Sequence, residues 1–164
     1  MQTFKIWLRY LGAALLLVSA IIGIEILLEQ PMGLFSGTRP SDLGFNAVKF
    51  KACPAKPNCV SSTSDAKDAQ HFIEPLKFSG APDAAWNRLK QILAATPHAV
   101  ASEQPHYLHL EFKSARMGFV DDVEFALDAA AQVIHVRSAA RLGVRDFGVN
   151  RERIESIRTR FSLT

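Results

Sequence analysis

The two cysteines of this 164-residue chain lie with five residues between them, in the stretch CPAKPNC from Cys53 to Cys59. A zinc site needs four ligands, and this spacing with no nearby histidine matches no zinc pattern. Redox motifs of the thioredoxin type have two intervening residues. In an oxidising compartment such a pair forms a disulfide, which for so short a loop stabilises a fold at the low end of about 2–4 kcal/mol. The stretch therefore predicts a structural disulfide if the domain lies outside the cytoplasm.

Histidines and carboxylates concentrate on one face of three predicted strands. This face carries His109, Glu111, Lys113, Asp122, Glu124, His135 and Arg137. The mixture could hold a metal ion. However, plausible hairpin registers place Arg137 opposite Glu124 or Asp122, as in cross-strand ion pairs worth about 0.2–1 kcal/mol each. We therefore predict a solvated face with ion pairs, and neither a metal nor another cofactor.

A second concentration of charge is the stretch RSAARLGVRDFGVNRER, residues 137–153. Its arginines are Arg137, Arg141, Arg145, Arg151 and Arg153. A planar guanidinium suits carboxylate or phosphate, and a helix beginning at Asn150 would add free backbone N–H groups. The stretch could therefore hold an anionic small molecule. The alternative, which the residues favour for this stretch, is that these arginines pair with the protein's own carboxylates, namely Asp121, Asp122, Glu124 and Asp146, and lock the loop before the last helix.

Support for nucleophilic catalysis is thin, because the chain has no Gly-x-Ser-x-Gly elbow or comparable frame. Asp121 and Asp122 are the candidates for an acid/base residue in a hydrolase or isomerase. That function would require a concave pocket around these carboxylates and at least one raised pKa.

The strands that carry these residues follow from alternating patterns. Residues 71–78, HFIEPLKF, predict a first strand. The segments YLHLEFK, FVDDVEFAL and VIHVRSA alternate strongly and are joined by short loops, which predicts hairpins. A weaker strand around residues 99–101 precedes them. The sequence therefore predicts an antiparallel sheet.

Two helices complete the predicted domain. Pro82 opens the first, which runs to about Ala95 with apolar residues at spacings of three and four. The second runs from about Arg151 to Phe161, with Asn150 as its N-cap. The order of elements predicts an α+β fold in which a small antiparallel sheet packs two helices on one face.

The N-terminal segment decides the compartment. Residues 10–28, YLGAALLLVSAIIGIEILL, are interrupted only by Glu25, and about 20 helical residues cross a hydrocarbon core of about 30 Å. Lys5 and Arg9 precede the run, and positive residues favour the cytoplasmic side. We predict a single-pass signal-anchor helix in the inner membrane, with the C-terminal domain in the periplasm. A cleaved signal peptide is the alternative, and it also exports the domain.

The chain is predicted to have three parts: residues 1–29 form the membrane anchor, 30–70 a linker and extended arm with the disulfide loop, and 71–164 the α+β domain. The modest net charge of +3 gives no strong field, and the compartment argues against nucleic acid as a partner.

Four stretches carry a family resemblance: GTRPSDLGF, CPAKPNCVSS, GFVDDVEF and VRSAARLGVRDFGVNRERIESIR. Together and in this order, over roughly residues 37–161, the chain resembles the domain-of-unknown-function 1499 family of bacterial envelope proteins. The resemblance implies no particular activity. It implies a set of signature residues, which are Asn58, Cys59, Ser61, Ser62, Asp121, Asp122, Arg137, Ser138, Arg141, Gly143, Asp146, Asn150 and Arg151.

These observations predict a membrane-anchored envelope protein whose domain is a non-catalytic binding or accessory module. It would recognise an anionic group or an envelope protein partner. The predicted ligand-binding residues are Asn58, Ser61, Arg137, Arg141, Asp146, Asn150 and Arg151. The alternative function is the envelope hydrolase or isomerase that uses Asp121 or Asp122.

Overall fold

The computed structural model describes Trp7, Tyr10, Gly12 and residues 14–19, 35–46, 48–115 and 117–163. Most of the predicted anchor, residues 10–28, lies outside the described residues. The described residues of this predicted segment are helical and exposed. Within the described part of the chain, no helix has both the length and the hydropathy needed to cross a membrane.

The described elements form a mixed α+β domain. The strands are β1 (Phe45–Asn46), β2 (Lys49–Phe50), β3 (Cys59–Ser61), β4 (Leu76–Lys77), β5 (Ala99–Gln104), β6 (Tyr107–Lys113), β7 (Val120–Asp128) and β8 (Val133–Ala140). The helices are α1 (Pro82–Ala94) and α2 (Val149–Ser162). Strands β1 and β2 form a hairpin, while a six-stranded antiparallel sheet has the order β3-β8-β7-β6-β5, with β4 also paired to β8.

The alternation of strands β6 to β8 places one apolar row of each against the helices. Leu110, Phe125 and Val136 are fully buried in this row. Helix α1 packs Leu89 and Leu93 on it, and α2 packs Ile154, Ile157 and Phe161. The predicted α+β fold with an antiparallel sheet and helices on its apolar face is confirmed for the described residues.

Two strand predictions need correction. The segment 71–78 is a strand only at Leu76–Lys77, with an isolated bridge at Phe72, because Pro75 has no N–H to donate to a ladder. Conversely, Cys59–Ser61 is a strand that the sequence did not predict. Three residues are too few to show a period, and pairing with β8 imposes the extended conformation.

The prediction of Asn150 as the N-cap is wrong. Helix α2 begins at Val149, and Gly148 precedes it with φ +88°, a left-handed conformation that glycine adopts without strain. The carboxylate of Asp146 accepts hydrogen bonds from the N–H groups of Gly148 and Asn150, at 3.1 and 3.0 Å. Asp146 therefore satisfies the helix terminus, and the side chain of Asn150 points into the protein, where it is fully buried.

The prediction of a solvated polar sheet face is also wrong. His109, Asp122, Glu124 and Arg137 are at most 5% exposed. The chain segment before the disulfide loop, residues 35–46 and 48–51 and here called the arm, covers them. Its ring contacts are Phe35 on Phe119 at 4.9 Å and Phe45 on His135 at 5.4 Å. The arm forms a partial third layer, so the charges beneath it must be satisfied inside the protein.

Candidate functional site

The disulfide loop is bound to the sheet and to the loop before α2. The sulfur atoms of Cys53 and Cys59 lie 2.02 Å apart, which confirms the predicted pairing. The carbonyl of Asn58 accepts a hydrogen bond from the N–H of Ala140 at 2.9 Å, and its side-chain amide donates to the carbonyl of Gly143 at 3.0 Å. Among the described residues, the buried Oδ1 of Asn58 has no hydrogen-bond partner.

One buried ionic group centres on Arg141 and Asp122. The guanidinium donates to Asp122 through Nε at 2.8 Å and Nη2 at 2.7 Å, and also to Glu111. His109 Nε2 lies 2.7 Å from Asp122 Oδ1, and Arg39 of the arm contacts Glu111 at 2.5 Å. Burial alone would raise the pKa of Asp122, but hydrogen bonds from Arg141 and His109 hold that pKa below its usual value. Asp122 is therefore a carboxylate at neutral pH.

A second buried ionic group centres on Glu124. Arg137 donates from Nη1 to Glu124 Oε2 at 3.0 Å, as the register of β7 and β8 allows. Tyr107 Oη and the N–H of Gly44 both donate to Oε1 at 2.9 Å. Arg137 Nε also donates to the carbonyl of Lys51 at 3.0 Å. Burial, followed by the charge of Glu124, raises the pKa of Tyr107, so the phenol remains a donor.

A third polar group joins α2 to the sheet through Asn150. Its Oδ1 accepts hydrogen bonds from Ser138 Oγ at 2.5 Å and from Arg153 at 2.8 Å. Its amide donates to Asp146 at 2.8 Å and to the carbonyl of Asn58 at 3.3 Å. Signature residues that are far apart in sequence thus meet in one buried cluster.

The structure brings most of the predicted ligand-binding residues together, but it gives them protein partners. Arg137 and Arg141 pair with the carboxylates described above, and Arg153 donates to Asp121 at 2.6 Å. Arg151 donates to the carbonyls of residues 69, 70 and 72 at 2.8–3.2 Å. This geometry matches the alternative interpretation, in which the arginines lock the loop before the last helix.

The acid/base hypothesis is not favoured by this geometry. The pKa of Asp122 is lowered rather than raised, and Asp121 forms an ion pair with Arg153. Neither carboxylate lines the polar cleft between the arm and strands β5 and β6. Among the described residues, no group of three or more His, Cys, Asp or Glu side chains is placed to hold a metal ion.

A polar cleft of about 330 Å³ lies between the arm and the edge formed by β5 and β6. Its polar lining consists of Ser41, Asn46, Ser102, Gln104, Tyr107 and His109. Tyr107 and His109 belong to the two buried ionic groups. Within the described part of the chain, the side chains of the other four form no hydrogen bond. The cleft therefore offers hydrogen-bonding groups that have no partner among the described residues, next to Tyr107 and His109, which the buried ionic groups hold in place.

The alternating pattern placed Tyr107 and His109 on the same face of a strand and did not connect either with the arm. The only available signal was the concentration of polar residues on one sheet face. That signal could not show that residues 40–46 form the opposite wall, because the arm has no periodic pattern.

A second cavity of about 310 Å³ lies beside the disulfide and is lined in part by Ser61, Asp68 and His71. His71 Nδ1 lies 2.7 Å from Asp68 Oδ2, and this hydrogen bond raises the pKa of His71. Burial lowers the pKa of His135, whose ring stacks on Phe45 of the arm. The two histidines therefore oppose each other in their effect on pH-dependent stability.

We expect the domain to be most stable near pH 6.5, because the pKa of a histidine in an unfolded chain is about 6.5. As the pH falls below this value, the unfolded chain takes up a proton at His135 before the folded protein does, so stability falls. As the pH rises above it, the folded protein retains a proton at His71 that the unfolded chain has lost, so stability again falls. Urea midpoints from pH 5 to 8, followed by Trp86 fluorescence, measure this profile.

Two variants test the two sides of that profile separately. Asp68→Asn is expected to reduce the loss of stability above pH 6.5, and His135→Gln the loss of stability below it. If both losses remain in both variants, the pH dependence does not come from His71 and His135.

Fold and site together define a small disulfide-containing α+β domain, in which the sheet face opposite the helices carries buried arginine–carboxylate groups under an N-terminal arm. A family model described as a protein of unknown function, DUF1499, matches residues 49–161. Because the match spans more than half of the sequence, the chain belongs to the DUF1499 family, as the resemblance predicted. No curated protein and no solved structure matches the chain.

Proposed function

We propose that the protein is a single-pass inner-membrane protein, anchored through residues 10–28, with a periplasmic domain that acts as a non-catalytic binding module. The apolar run with Lys5 and Arg9 before it supports the anchor and its orientation. The Cys53–Cys59 pair supports an oxidising compartment. The single observation that carries the binding function is the polar cleft between the arm and strands β5 and β6.

The ligand class follows from the state of the charges around the cleft. The guanidinium groups of Arg137 and Arg141 are buried and bound to carboxylates, so an anion would have to displace an existing ion pair. The accessible lining consists of hydroxyl and amide groups, with Ser102 and Gln104 on β5. These groups donate and accept hydrogen bonds without net charge. The proposed ligand is therefore uncharged and rich in hydroxyl or amide groups, in place of the anion that the arginine-rich stretch suggested.

A hydrolase or isomerase is the second candidate, and one distance favours it. His109 Nε2 lies 2.7 Å from Asp122, and His109 lines the cleft. A histidine held by a buried carboxylate is the arrangement of a general base and its orienting group. In this candidate Asp122 would orient His109 and would not itself transfer the proton.

Filling the cleft tests the binding function. Full-length protein is purified from membranes without reductant, incubated with soluble glycan and peptide fragments of the cell envelope, and analysed by native mass spectrometry. We expect an adduct whose occupancy falls about tenfold or more in Ser102→Trp, equivalent to about 1.4 kcal/mol. The matched control is Val100→Trp, on the same strand but outside the cleft, and it is expected to keep the adduct.

The same experiment separates the two candidate functions. If the mass of the bound ligand stays constant with time and the adduct also forms with His109→Gln, the protein binds the ligand without converting it. If the mass of the ligand changes with time in the parent protein but stays constant with His109→Gln, the protein is the enzyme instead. The absence of any adduct on the unmodified protein would contradict the cleft as the binding site.

A further inference from the structure

The loop between β8 and α2 exposes a group of apolar side chains. We call this group the apolar tip; it consists of Leu142, Val144 and Phe147 of this loop, the adjoining Val149 at the start of α2, and Met117 of the loop between β6 and β7. Each is at least 40% exposed, and Phe147 is 92% exposed. Isolated exposed apolar residues are ordinary on soluble proteins, but four of them within residues 142–149 indicate an interaction surface.

Phe147 points outward in a backbone conformation that is unfavourable for phenylalanine. Phe147 has φ +54°, a left-handed conformation that is unfavourable for a bulky residue. Hydrogen bonds from the N–H groups of Gly148 and Asn150 to Asp146, and from Asn58 to the carbonyl of Gly143, fix the loop on both sides. The aromatic ring gains no burial in return, so neither packing nor backbone preference explains its presence.

The apolar tip lies at the point where the arm enters the domain. Phe35, the first residue of the arm, stacks on Phe119 at 4.9 Å. A Cβ atom placed on Gly37 would lie 3.0 Å from Cγ of Leu142. Seven peptide steps separate residue 28 from Phe35, which span at most about 25 Å. An anchor ending at residue 28 would therefore hold the apolar tip within reach of the membrane surface.

We propose that the apolar tip contacts the periplasmic surface of the same membrane, with Phe147 inserted at the headgroup level; this inference rests on the anchor in the proposed function. Arg145 is exposed beside Phe147 and can pair with lipid phosphate. The carboxylate of Asp146 is bound to backbone N–H groups, and that of Glu152 lies near Gly148. The reach of the chain from the anchor, and not the net charge of the tip, is therefore the argument for a lipid surface as the partner. Apolar side chains with a neighbouring cation are typical of segments that lie in the membrane interface.

Quenching of an introduced indole tests the contact. Full-length protein carrying Phe147→Trp is placed in single-copy lipid nanodiscs containing anionic lipid, with acyl chains brominated near the headgroup. The introduced fluorescence is read as the difference from the parent protein, which has Trp7 and Trp86. We expect bromination to remove about half of it, because interfacial groups lie about 5–10 Å into the headgroup–acyl boundary.

Leu163→Trp is the matched control. Leu163 is 81% exposed and follows the last turn of α2, about 20 Å from Val149 along the helix. Its introduced indole is expected to keep its fluorescence. Equal quenching at both positions would overturn the tip as the specific contact.

The remaining outcomes separate this inference from the proposed anchor. If the protein stays in the disc through an alkaline carbonate wash and the indole at position 147 is unquenched, the tip contact is wrong and the anchor stands. If the wash releases the protein, both proposals are wrong. Discs that hold two copies of the protein test a third outcome. If iodide quenching of the indole at position 147 is reduced only in these discs, a second copy of the chain covers the tip, and the lipid contact is wrong.

A second variant shows whether Phe147 has a structural role. Phe147→Asn replaces the ring with a side chain that accepts the left-handed conformation, so the Tm of the domain is expected to rise by about 2–5 °C. A fall in Tm would show that the ring packs within the domain, which would overturn its assignment to the membrane surface.

Discussion

Replacing Arg137 with methionine is expected to destabilise the domain by about 3–5 kcal/mol, because it leaves the carboxylate of Glu124 buried without its cation. Glu124 is fully buried, and Arg137 is 4% exposed. The arm would also lose the hydrogen bond from Arg137 to the carbonyl of Lys51. Urea unfolding of the detergent-solubilised protein, followed by Trp86 fluorescence, measures the loss as a lower midpoint.

A double variant separates the cost of the unpaired charge from the value of the ion pair. In Arg137→Met with Glu124→Gln, the new amide still accepts hydrogen bonds from Tyr107 and the N–H of Gly44, and no charge remains. We expect the double variant to regain all but about 1–2 kcal/mol, because removal of both members of a buried pair is often close to neutral. A double variant as unstable as Arg137→Met would show that the loss came from packing or from the arm instead.

Replacing Asn150 with leucine is expected to cost about 2–4 kcal/mol, because each buried group left without its hydrogen bond costs about 1–3 kcal/mol. The amide of Asn150 links Ser138, Arg153, Asp146 and the carbonyl of Asn58. The loss stays below the sum of four such terms because these partners retain other contacts. Arg153, for example, still donates to Ser138 Oγ at 3.0 Å.

The same urea titration measures the effect of Asn150→Leu against a matched control. Asn87→Leu makes the same chemical change at an exposed position of α1, where substitutions are usually within about 0.5 kcal/mol of neutral. If Asn150→Leu unfolds at the midpoint of this control, the buried polar cluster does not connect α2 to the sheet.

Sequence reasoning recovered the elements whose patterns are local. Strands β6, β7 and β8 are long enough to show their alternation, and helix α1 shows its apolar spacing within 13 residues. It missed β3 because three residues have no period, and it extended the strand at 71–78 across Pro75. The same limit affected the start of α2, where Asn150 was interpreted as a cap from its type alone.

The polar sheet face shows the larger gap between sequence and structure. Alternation correctly placed Glu111, Asp122, Glu124 and Arg137 on one face, and the register set Arg137 opposite Glu124. Whether that face meets water depends on a segment more than 70 residues earlier, as the contact between Arg39 and Glu111 illustrates. No local pattern in the arm records that contact, so a buried network was interpreted as a solvated surface.

The amino-acid sequence by itself determined the α+β class, the pairing of Cys53 with Cys59 and the family, because each depends on short spacings or on motifs in order. Only the tertiary structure decided what the arginines do and where the cleft lies. A guanidinium can pair with any carboxylate within reach, whether it belongs to the protein or to a ligand. Long-range packing of the arm and of α2 determines which carboxylates come within reach, and it left Arg137 and Arg141 bound inside the protein.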